Sequence, residues 1–505
     1  MSLNLLGKRR NNQQSAFGET AISQRVPQVQ AKFPYNLNTD IVQKLTNNAS
    51  STVTVAGGVC TVTCAGAYPA FSQIRTLDVV RYGPGQGALF MGTCAFTTGV
   101  ANSSQIFGPG DDDEGFFFGY NGTSFGVLRR SAGALEMRSL TITAGADGTG
   151  GTFTITMDGT PVTITVAASD TISEVVAAIV AQAPAFFNAG RGWEVHTDDN
   201  ITVEFISLVA ENAAGTFSFA DVNSGVTAGT FTQATTTVLG VAPTETWVAQ
   251  TAWNGDRFDG SGPSGVTIDP TKLNVFRIQY QYLGAGEIAF SIEDPDTGQF
   301  SHCHSIKYAN TVVIPTLVNP TLHLNAIAKT ESGYSGGALV MKTASMAGFI
   351  EGPETLLGVR HSAFNTKSTT TTTPVNILTI HNEVDWQSAK NKIVVYPDFI
   401  TFASEATKTT IVKIILNPTQ VDGTVALTAI NAVTSVMEKD TAGTTVVGGT
   451  ELLAFTLQGA ESKEVDIKSL NLFLRPGDRW VFTAELTSGG ANGLVSVGIT
   501  WLERI

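Results

Sequence analysis

The sequence predicts a mainly all-β chain of β-sandwich or jelly-roll domains with one small α+β insert. Three observations predict this class: charged residues make up only 14% of the 505 residues, glycine reaches 51, and alternating stretches rich in Thr and Val recur along the chain. Few charges, many glycines and β-branched residues are typical of short strands joined by tight turns. A chain of this length holds about three domains, each large enough to bury its own core.

The chain begins with a polar segment that has no regular period. Residues 1–35 are rich in Asn, Gln, Ser and Arg, which predicts an extended N-terminal arm. The basic run Lys8-Arg9-Arg10 is typical of a solvated arm; contact with an acidic partner surface or packaged nucleic acid is the alternative. These charges follow a short apolar stretch, the reverse of a secretory signal, and no run of about 18 apolar residues exists. We therefore expect a protein made in the cytoplasm, without a membrane span.

Strand signals begin at residue 52. The segments 52–55 and 59–64 are β-branched and flank a Gly-Gly pair, which predicts a hairpin. Cys60 and Cys64 are four residues apart, so they share one face of the second strand. The other cysteines, Cys94 and Cys303, are too scattered for a disulfide framework, and we expect all four to be buried free thiols.

Two aromatic segments punctuated by glycine, 115–126 and 253–265, share one sequence style and are separated by a stretch of different style. In an extended strand, Phe116, Phe118 and Tyr120 share one face, so we expect them to form one wall of a sandwich core. The glycines between the aromatic residues indicate turns. The two segments should therefore lie in the same domain.

A discontinuous sandwich accounts for this arrangement without crossed connections. Alternating strands at 274–282 and 287–293 continue the style of the second aromatic segment. We predict one sandwich built from residues 36–136 and 247–350.

The stretch between the two halves, residues 137–246, predicts a compact α+β unit. Thr171 can cap a helix, and Glu174 three residues later completes a capping box before an apolar stripe. Alternating residues predict hairpins on both sides of this helix, at 152–166 and 192–206.

The remaining residues, 351–505, predict a C-terminal β-sandwich. Its most regular part is a series of strands at 469–474, 479–485 and 494–501 with tight connections. Three consecutive antiparallel strands of this kind predict one side of a sandwich or jelly roll.

Two groups of residues are weak candidates for metal ligands. His302 and His304 are two apart on a predicted strand and would need His323 or a carboxylate to complete a site. Asp111 and Asp113, in an acidic run between glycines, have the oxygen density of a Ca²⁺ site but not the spacing of an EF-hand. We favour polar packing for the histidines and a solvated acidic turn for the aspartates, and therefore predict no metal and no cofactor.

Asp256 and Asp259 could bind Ca²⁺ or a sugar hydroxyl, although turn chemistry explains them without a ligand. Ser335 has the spacing of a nucleophile elbow, but its surroundings predict strands rather than a strand-to-helix turn. The glycines 260, 262 and 265 match a dinucleotide-binding spacing that Pro263 interrupts.

Glu293 and Asp294 are the acid pair considered for glycoside hydrolysis. Neighbours on a strand point to opposite faces, which makes them a poor pair of catalytic carboxylates. With no other catalytic pattern among the residues considered, we predict no enzymatic activity.

The segments 80–87, 115–127, 253–265 and 278–288 resemble a recurrent module in structural proteins of tailed phages and large DNA viruses. Its fold is similar to concanavalin-like or laminin-G-like sandwiches. The hairpin, helix and hairpin between them resemble small domains inserted in phage tail tube, sheath and flagellar hook proteins. The resemblance implies a virion component such as a fibre, spike or vertex-associated protein.

On this resemblance we expect a structural virion protein that is anchored by its N-terminal arm and assembles with itself, as a homotrimer, and with other virion proteins. The alternative is a receptor- or glycan-binding attachment protein that reads a host surface glycan. The net charge of −13 argues against a nucleic-acid coat, because binding phosphates requires clustered Lys and Arg.

Overall fold

The computed structural model describes residues 24–197, 201–212, 215–220, 235–352, 358–369, 372–418, 420–421, 427–470, 472–488 and 493–504. Within these residues the chain is built of antiparallel sheets and two short helices. It is mainly all-β with a small α+β part, as the composition predicts. None of the described helices is long and apolar enough to cross a membrane.

The strands and helices follow one another in four stretches of the chain. The first stretch contains β1 (Arg25–Lys32), β2 (Val42–Thr46), β3 (Thr52–Ala56), β4 (Val59–Cys64), β5 (Phe71–Val80), β6 (Ala88–Cys94), β7 (Ser103–Pro109), β8 (Gly115–Asn121) and β9 (Ser124–Ser131). The second contains β10 (Met137–Thr141), β11 (Gly151–Met157), β12 (Thr160–Val166), α1 (Ile172–Val180), α2 (Ala183–Phe187), β13 (Trp193–His196), β14 (Thr202–Ser207), β15 (Ser218–Ala220) and β16 (Thr235–Val238). The third contains β17 (Thr244–Ala249), β18 (Asn274–Tyr280), β19 (Ile288–Glu293), β20 (Phe300–Ile306), β21 (Leu322–Thr330), β22 (Leu339–Thr343) and β23 (Ser345–Glu351). The fourth contains β24 (Val359–Thr369), β25 (Val375–Asn382), β26 (Asp385–Trp386), β27 (Ala389–Lys390), β28 (Tyr396–Ser404), β29 (Thr410–Leu416), β30 (Gln420–Val421), β31 (Thr428–Ala429), β32 (Met437–Asp440), β33 (Val446–Val447), β34 (Thr450–Leu457), β35 (Ser462–Asp466), β36 (Arg479–Leu486) and β37 (Gly493–Glu503).

The first and third stretches together form a sandwich. Among the described residues, its sheets have the orders β1-β23-β6-β18-β19-β20, β17-β9-β8-β7-β21-β5-β2 and β22-β4-β3. Each sheet combines strands from before and after the second stretch, so that stretch is inserted into the sandwich. The exact boundaries of the units stay predictions.

The end of the expected N-terminal arm belongs to the sandwich. Residues 25–32 form β1, which pairs with β23 from Arg25↔Glu351 to Lys32↔Ser345. Val29 and Ala31 are buried in the core of the sandwich. The predicted arm, 1–35, therefore wrongly included the residues of β1. Their polar composition gave no strand signal, and the partner strand lies more than 300 residues away along the chain. Residues 1–23 lie outside the described residues.

The aromatic residues of β8 alternate as predicted. Phe116, Phe118 and Tyr120 lie in the sandwich core, while Phe117 faces the other side of the sheet. The ring of Phe118 lies 4.8 Å from that of Phe276 and 6.2 Å from that of Trp253, measured between centroids. The two aromatic segments therefore share one core, and the contact joins residues on opposite sides of the insert.

The insert, here β10 to β16 with both helices, has sheets of order β13-β14-β10-β16 and β12-β11-β15. The predicted capping box is present: the Thr171 Oγ1 accepts a hydrogen bond from the Glu174 N–H, and the Glu174 carboxylate accepts one from the Thr171 N–H. The predicted hairpin β11–β12 pairs from Gly151↔Val166 to Met157↔Thr160. Both features are local, which explains why the sequence predicted them.

The insert also packs on the outer face of the seven-stranded sheet. Phe187 and Leu208 of the insert contact a cluster of buried side chains that includes Phe117, Leu128 and Ile327. The outer face of the sheet is thus covered there rather than open to solvent.

The fourth stretch forms a second sandwich, here called the C-terminal unit. Its main sheets in the described residues have the orders β24-β37-β28-β35 and β31-β32-β25-β36-β29-β34. The prediction that the last three strands lie side by side was wrong. The strands β36 and β37 lie in different sheets, and residues 468–470 form a 3₁₀ turn where a strand was expected. Alternation identifies a strand but does not say which sheet it joins.

Candidate functional site

The acidic run 111–114 is buried, so the prediction of a solvated acidic turn was wrong. Asp111, Asp112 and Glu114 are only 5%, 6% and 3% exposed. The Asp112 carboxylate pairs with Arg130 at 2.9 Å and accepts a hydrogen bond at 2.8 Å from the Ala210 N–H of the insert. These carboxylates are charged groups of the interior and each needs partners there.

The partners form a largely buried group that we call the charge cluster: Arg75, Asp111, Asp113, Glu194, His323, Lys390 and Lys392. Glu194 comes from the insert and sits at its centre. Its carboxylate lies 2.6 Å from Arg75 of the sandwich and 2.9 Å from Lys390 of the C-terminal unit. One carboxylate therefore links all three parts of the chain.

A second part of the charge cluster surrounds Asp111. The Lys392 ammonium lies 3.6 Å from both the Asp111 and the Asp113 carboxylates. The His323 Nε2 lies 3.8 Å from Asp111, and the His323 Nδ1 lies 2.7 Å from the Thr76 carbonyl oxygen. Because a carbonyl only accepts hydrogen bonds, Nδ1 carries the proton in the neutral imidazole.

Burial and opposite charges act against each other in this cluster. Burial opposes ionisation of Asp111, but the charges of protonated His323, Lys392 and Arg75 lower its pKa to about 2. Burial also opposes ionisation of Glu194, and Arg75 and Lys390 lower the pKa of that carboxyl well below its usual range. Burial lowers the pKa of His323 to about 4, with the Asp111 charge opposing this shift. At neutral pH, Asp111 and Glu194 are therefore ionised and His323 is neutral.

This charge balance bears directly on the candidate metal ligands Asp111 and Asp113. Their carboxylates face ammonium and guanidinium groups, which occupy the position a cation would need. Among the described residues, no group of three or more His, Cys, Asp or Glu side chains could hold a metal ion.

The other candidate metal ligands, His302 and His304, lie on β20. The pairing of β20 with β19 shifts register between them, so the regular alternation that would place both on one face is interrupted. His302 is exposed, and its Nε2 lies 3.1 Å from the Ser305 Oγ. His304 is buried, and burial lowers its pKa. Its Nδ1 accepts a hydrogen bond at 3.3 Å from the Asn254 N–H.

The carboxylates of the 253–265 loop accept hydrogen bonds from their own loop. Asp256 accepts from the N–H groups of Phe258 at 3.0 Å and Ser264 at 2.8 Å. Asp259 accepts from the N–H of Ser261 at 2.9 Å. A Cβ on Gly262 would lie 2.2 Å from Asp256, so this glycine serves close packing in the turn.

Ser335 lies exposed between β21 and β22, with no described helix following it. Glu293 ends β19, and Asp294 accepts hydrogen bonds from the Asp296 and Thr297 N–H groups of the next turn. The structure brings none of these three residues to the charge cluster.

A cleft of about 750 Å³ opens between the sandwich and the C-terminal unit, beside the charge cluster. We call it the junction cleft. On the sandwich side, the cleft is lined by the loop that follows β5 and the loop that precedes β21. On the other side, it is lined by the segment after β25 and by Arg504, which follows β37. It is lined by Arg81, Tyr82, Gly83, Pro84, Gln86, Asn319, Pro320, Thr321, Gly358, Trp386, Ala389, Lys390, Asn391, Lys392, Ile393, Val394 and Arg504.

The junction cleft has one aromatic side chain from each of its two sides, Tyr82 and Trp386. The Tyr82 ring packs edge-on against that of Tyr282 at 5.1 Å, and the Tyr82 hydroxyl accepts a hydrogen bond from the Leu283 N–H at 2.9 Å. Trp386 lies on the small hairpin β26–β27, where it pairs with Ala389. In the described part of the chain, the Trp386 indole N–H has no hydrogen-bond acceptor.

The turn of that hairpin is strained. Gln387 and Ser388 have φ values of 53° and 61°, a conformation that favours glycine. Strain of this kind persists where the surrounding structure holds the turn in place, and it often occurs at binding sites. The strained turn presents Trp386 and Lys390 to the cleft.

Sequence reasoning missed Trp386, Lys390, Lys392 and Glu194 as functional candidates. Arg81 and Tyr82 fall in the segment 80–87, which the resemblance singled out without a role. A signal was present in the sequence, because a stretch of seven residues contains a tryptophan and two lysines although the chain as a whole is acidic. Only the fold shows that these residues meet the loop after β5.

No family model and no curated protein matches this sequence. Among solved structures, the chain is similar to a legume lectin-like domain from Entamoeba histolytica, with 10% identity over 63% of this chain and 95% of that chain and a TM-score of 0.23. It is similar to a seed lectin of Lotus tetragonolobus, with 10% identity over 65% and 100% and a TM-score of 0.22. It is also similar to the Faustovirus major capsid protein, with 10% identity over 94% and 90% and a TM-score of 0.10. The TM-scores are low, so the fold class rests on the sheets described above.

Proposed function

We propose that this chain is a virion attachment protein that binds a host-surface glycan in the junction cleft. The observation that carries the proposal is the cleft itself, which places Tyr82 and Trp386 among amide and hydroxyl groups such as those of Asn319 and Thr321. Sugar rings have apolar C–H faces and polar hydroxyl edges. A cleft with aromatic surface and a few polar groups matches both.

The position of the cleft supports the same function. Its volume of about 750 Å³ lies in the range of ligand-binding pockets, and it forms between two units, where such sites often occur. The charge cluster beside it fixes the distance between its two sides, because Glu194 pairs with residues of the sandwich and of the C-terminal unit. A preformed cleft loses less conformational entropy on binding.

A glycan array with the full chain tests the proposal. We expect binding to at least one glycan group, and Ala389→Trp should reduce it at least about 10-fold by filling the cleft. Ala389 is exposed at the turn of the β26–β27 hairpin, so this change removes no buried contact. Trp386→Ala should have a similar effect through lost contact.

Tyr35→Ala is the matched control, since Tyr35 is 90% exposed and does not line the cleft. It should bind like the unchanged protein. The proposal is wrong if no glycan binds at any density, or if binding is unaffected by both cleft variants.

A structural role in the virion is the second candidate, and the charge cluster favours it. Buried pairs that join three units give a rigid body suited to a spike or fibre, and we propose that such bodies assemble as homotrimers with other virion proteins. We propose that the N-terminal arm anchors the protein to the particle. Because β1 starts at Arg25, the deletion that tests anchoring is 1–23, which keeps the strand.

The deletion variant should fold, bind glycan and fail to enter particles. Incorporation at the level of the full chain would contradict the anchoring role. Mass measurement of the purified protein tests the trimer separately.

A further inference from the structure

We infer that two copies of this chain associate edge to edge through β24, so that their C-terminal units share one continuous sheet. The inference is carried by the free edge of β24 and is separate from the junction cleft and from the homotrimer proposed above. A two-fold contact doubles whatever forms without it. Single chains become dimers, and trimers become assemblies of six chains.

β24 is the edge strand of a four-stranded sheet. It is eleven residues long and pairs with β37 over its whole length, from Val359↔Glu503 to Thr369↔Gly493, without a register shift. On its other side, no strand of the described residues pairs with it. Every second residue of an antiparallel edge strand presents its N–H and its C=O to the open side. β24 therefore offers an uninterrupted row of backbone donors and acceptors about 35 Å long.

Other edges of the two sandwiches have protective features that β24 lacks. Proteins protect edge strands with prolines, bulges, short strands and charged side chains. β1 contains Pro27 and a register shift, and β34 pairs with β29 through a register shift. β35 has only five residues, three of them charged. β24 has neither a proline nor a register shift, and an extended segment can add to an edge of this kind.

The charged side chains of β24 are engaged within their own unit. The Arg360 guanidinium pairs with Asp398, and the Lys367 ammonium donates a hydrogen bond at 2.9 Å to the Asn376 carbonyl. The His361 ring likewise lies within hydrogen-bond distance of a carbonyl of this unit. β24 contains no Asp or Glu. Because each chain has a net charge of −13, the repulsion between two copies is lowest where neither presents an acid.

The exposed aromatic side chain of β24 sets the register of the pair. Phe364 is the middle residue of β24 and is 67% exposed. With a two-fold axis beside Phe364, the strands run antiparallel and the two rings oppose each other. Directly opposite aromatic side chains stabilise an antiparallel pair by covering each other's apolar surface.

The same register suits the other residues of the edge. Arg360 falls opposite Ser368 of the second copy, and Lys367 falls opposite His361. No lysine or arginine therefore opposes another, and about ten main-chain hydrogen bonds join the copies. The edge is thus complementary to itself, as a two-fold contact between identical surfaces requires. This self-complementarity favours a second copy of the chain as the partner.

The mass of the full chain in solution tests the inference. By sedimentation at about 10 µM, we expect two chains per particle, or six where trimers form. Phe364→Lys places two ammonium groups opposite each other and should weaken the contact at least about 10-fold, which halves the mass. Phe399→Lys is the matched control, because Phe399 is also exposed but lies on β28, two strands from the edge of the same sheet. It should keep the mass of the unchanged protein.

A cross-link tests the register without a disruptive change. Phe364→Cys should form a disulfide between copies under oxidation with copper phenanthroline, because opposite residues of an antiparallel pair have Cα atoms about 5 Å apart. Ser368→Cys, at another exposed position of β24, should not, since the two copies of residue 368 lie about 27 Å apart in this register. The four native cysteines are buried.

The outcomes identify the partner of the edge. A protein of single chains, or a mass that Phe364→Lys leaves unchanged, would overturn the inference; a particle of three chains with that insensitivity would leave the proposed trimer standing. Dissociation by Phe399→Lys as well would indicate contact through the face of the sheet and would also overturn it. Dissociation on deletion of residues 1–23 would assign the edge to the N-terminal arm instead of β24 of a second copy.

Discussion

Two acidic, glycine-rich segments of this chain have similar composition and opposite roles. The run 111–114 has buried carboxylates that pair with cations from β5 and the C-terminal unit. The loop 253–265 contains Asp256 and Asp259, whose carboxylates accept hydrogen bonds from N–H groups of the same loop. The comparison shows that an aspartate beside glycines becomes a link between units only if the fold brings a cation to it.

The cost of removing each carboxylate should follow from this difference. A buried charge that loses its partner leaves an uncompensated ion in the interior. Removing a turn carboxylate leaves N–H groups without their acceptor. The cost depends on how far these groups are buried, because water can hydrogen-bond to the exposed ones. Three carboxylate replacements test this order, and the pH dependence of His323 tests the charge cluster separately.

The largest expected effect is that of Asp111→Ala. It leaves Lys392 with one carboxylate partner and removes the acceptor near Arg75, so we expect the free energy of unfolding to fall by about 3–5 kcal/mol. Chemical denaturation monitored by fluorescence measures it. Adding Lys392→Met should recover part of the loss, because the ammonium that has lost one of its two carboxylate partners is then absent. A loss below about 1 kcal/mol would show that the cluster is not a structural link.

The next effect is a dependence of stability on pH through His323. Its pKa in the folded protein, about 4, is below the ordinary value of 6.5, so the unfolded chain binds more protons between these values. The contribution of His323 to the free energy of unfolding is complete above pH 6.5 and is lost as the pH falls through 4. Its full size is up to about 3 kcal/mol. Denaturation series at pH 7 and pH 4.5 measure it.

His323→Gln is the control for that series, since an amide can still donate to the Thr76 carbonyl but does not titrate. The variant should lose less stability than the unchanged protein between the two pH values. His304, whose pKa burial also lowers, is present in both proteins and cancels in the difference. Equal losses of stability in the two proteins between pH 7 and pH 4.5 would contradict the assignment of a buried neutral imidazole.

A smaller effect is expected for Asp256→Ala. The residue is 6% exposed and accepts two backbone hydrogen bonds, so we expect a loss of about 1–2 kcal/mol. Limited proteolysis should show faster cleavage within 253–265 and unchanged cleavage between the units. A loss as large as that of Asp111→Ala would remove the distinction between the two segments.

The smallest effect is expected for Asp259→Ala. This carboxylate is exposed, and the hydrogen bond from Ser261 lowers its pKa through a purely local contact. The unfolding midpoint should stay within experimental error of the unchanged protein. A clear shift would indicate that the loop has a partner beyond its own residues.

Much of the fold was predictable because its signals are local. The hairpin β3–β4, the buried thiols Cys60 and Cys64, and the alternation that sends Phe116 and Phe117 to opposite faces of the sheet are confirmed. Each depends on turn residues or on a period of two within a few residues. The candidate site was not predictable in this way. Its residues come from segments that are up to hundreds of positions apart in the chain.

By itself, the sequence determined the strand content, the main hairpins and the capped helix, since neighbouring residues carry that information. The tertiary structure alone decided that β36 and β37 join different sheets, that the acidic run is buried, and that Arg81 meets Trp386 across a cleft. The physical reason is that burial and charge pairing are properties of two partners. An aspartate or a tryptophan shows its own chemistry in the sequence, but its role is set by the residue that the fold places opposite it.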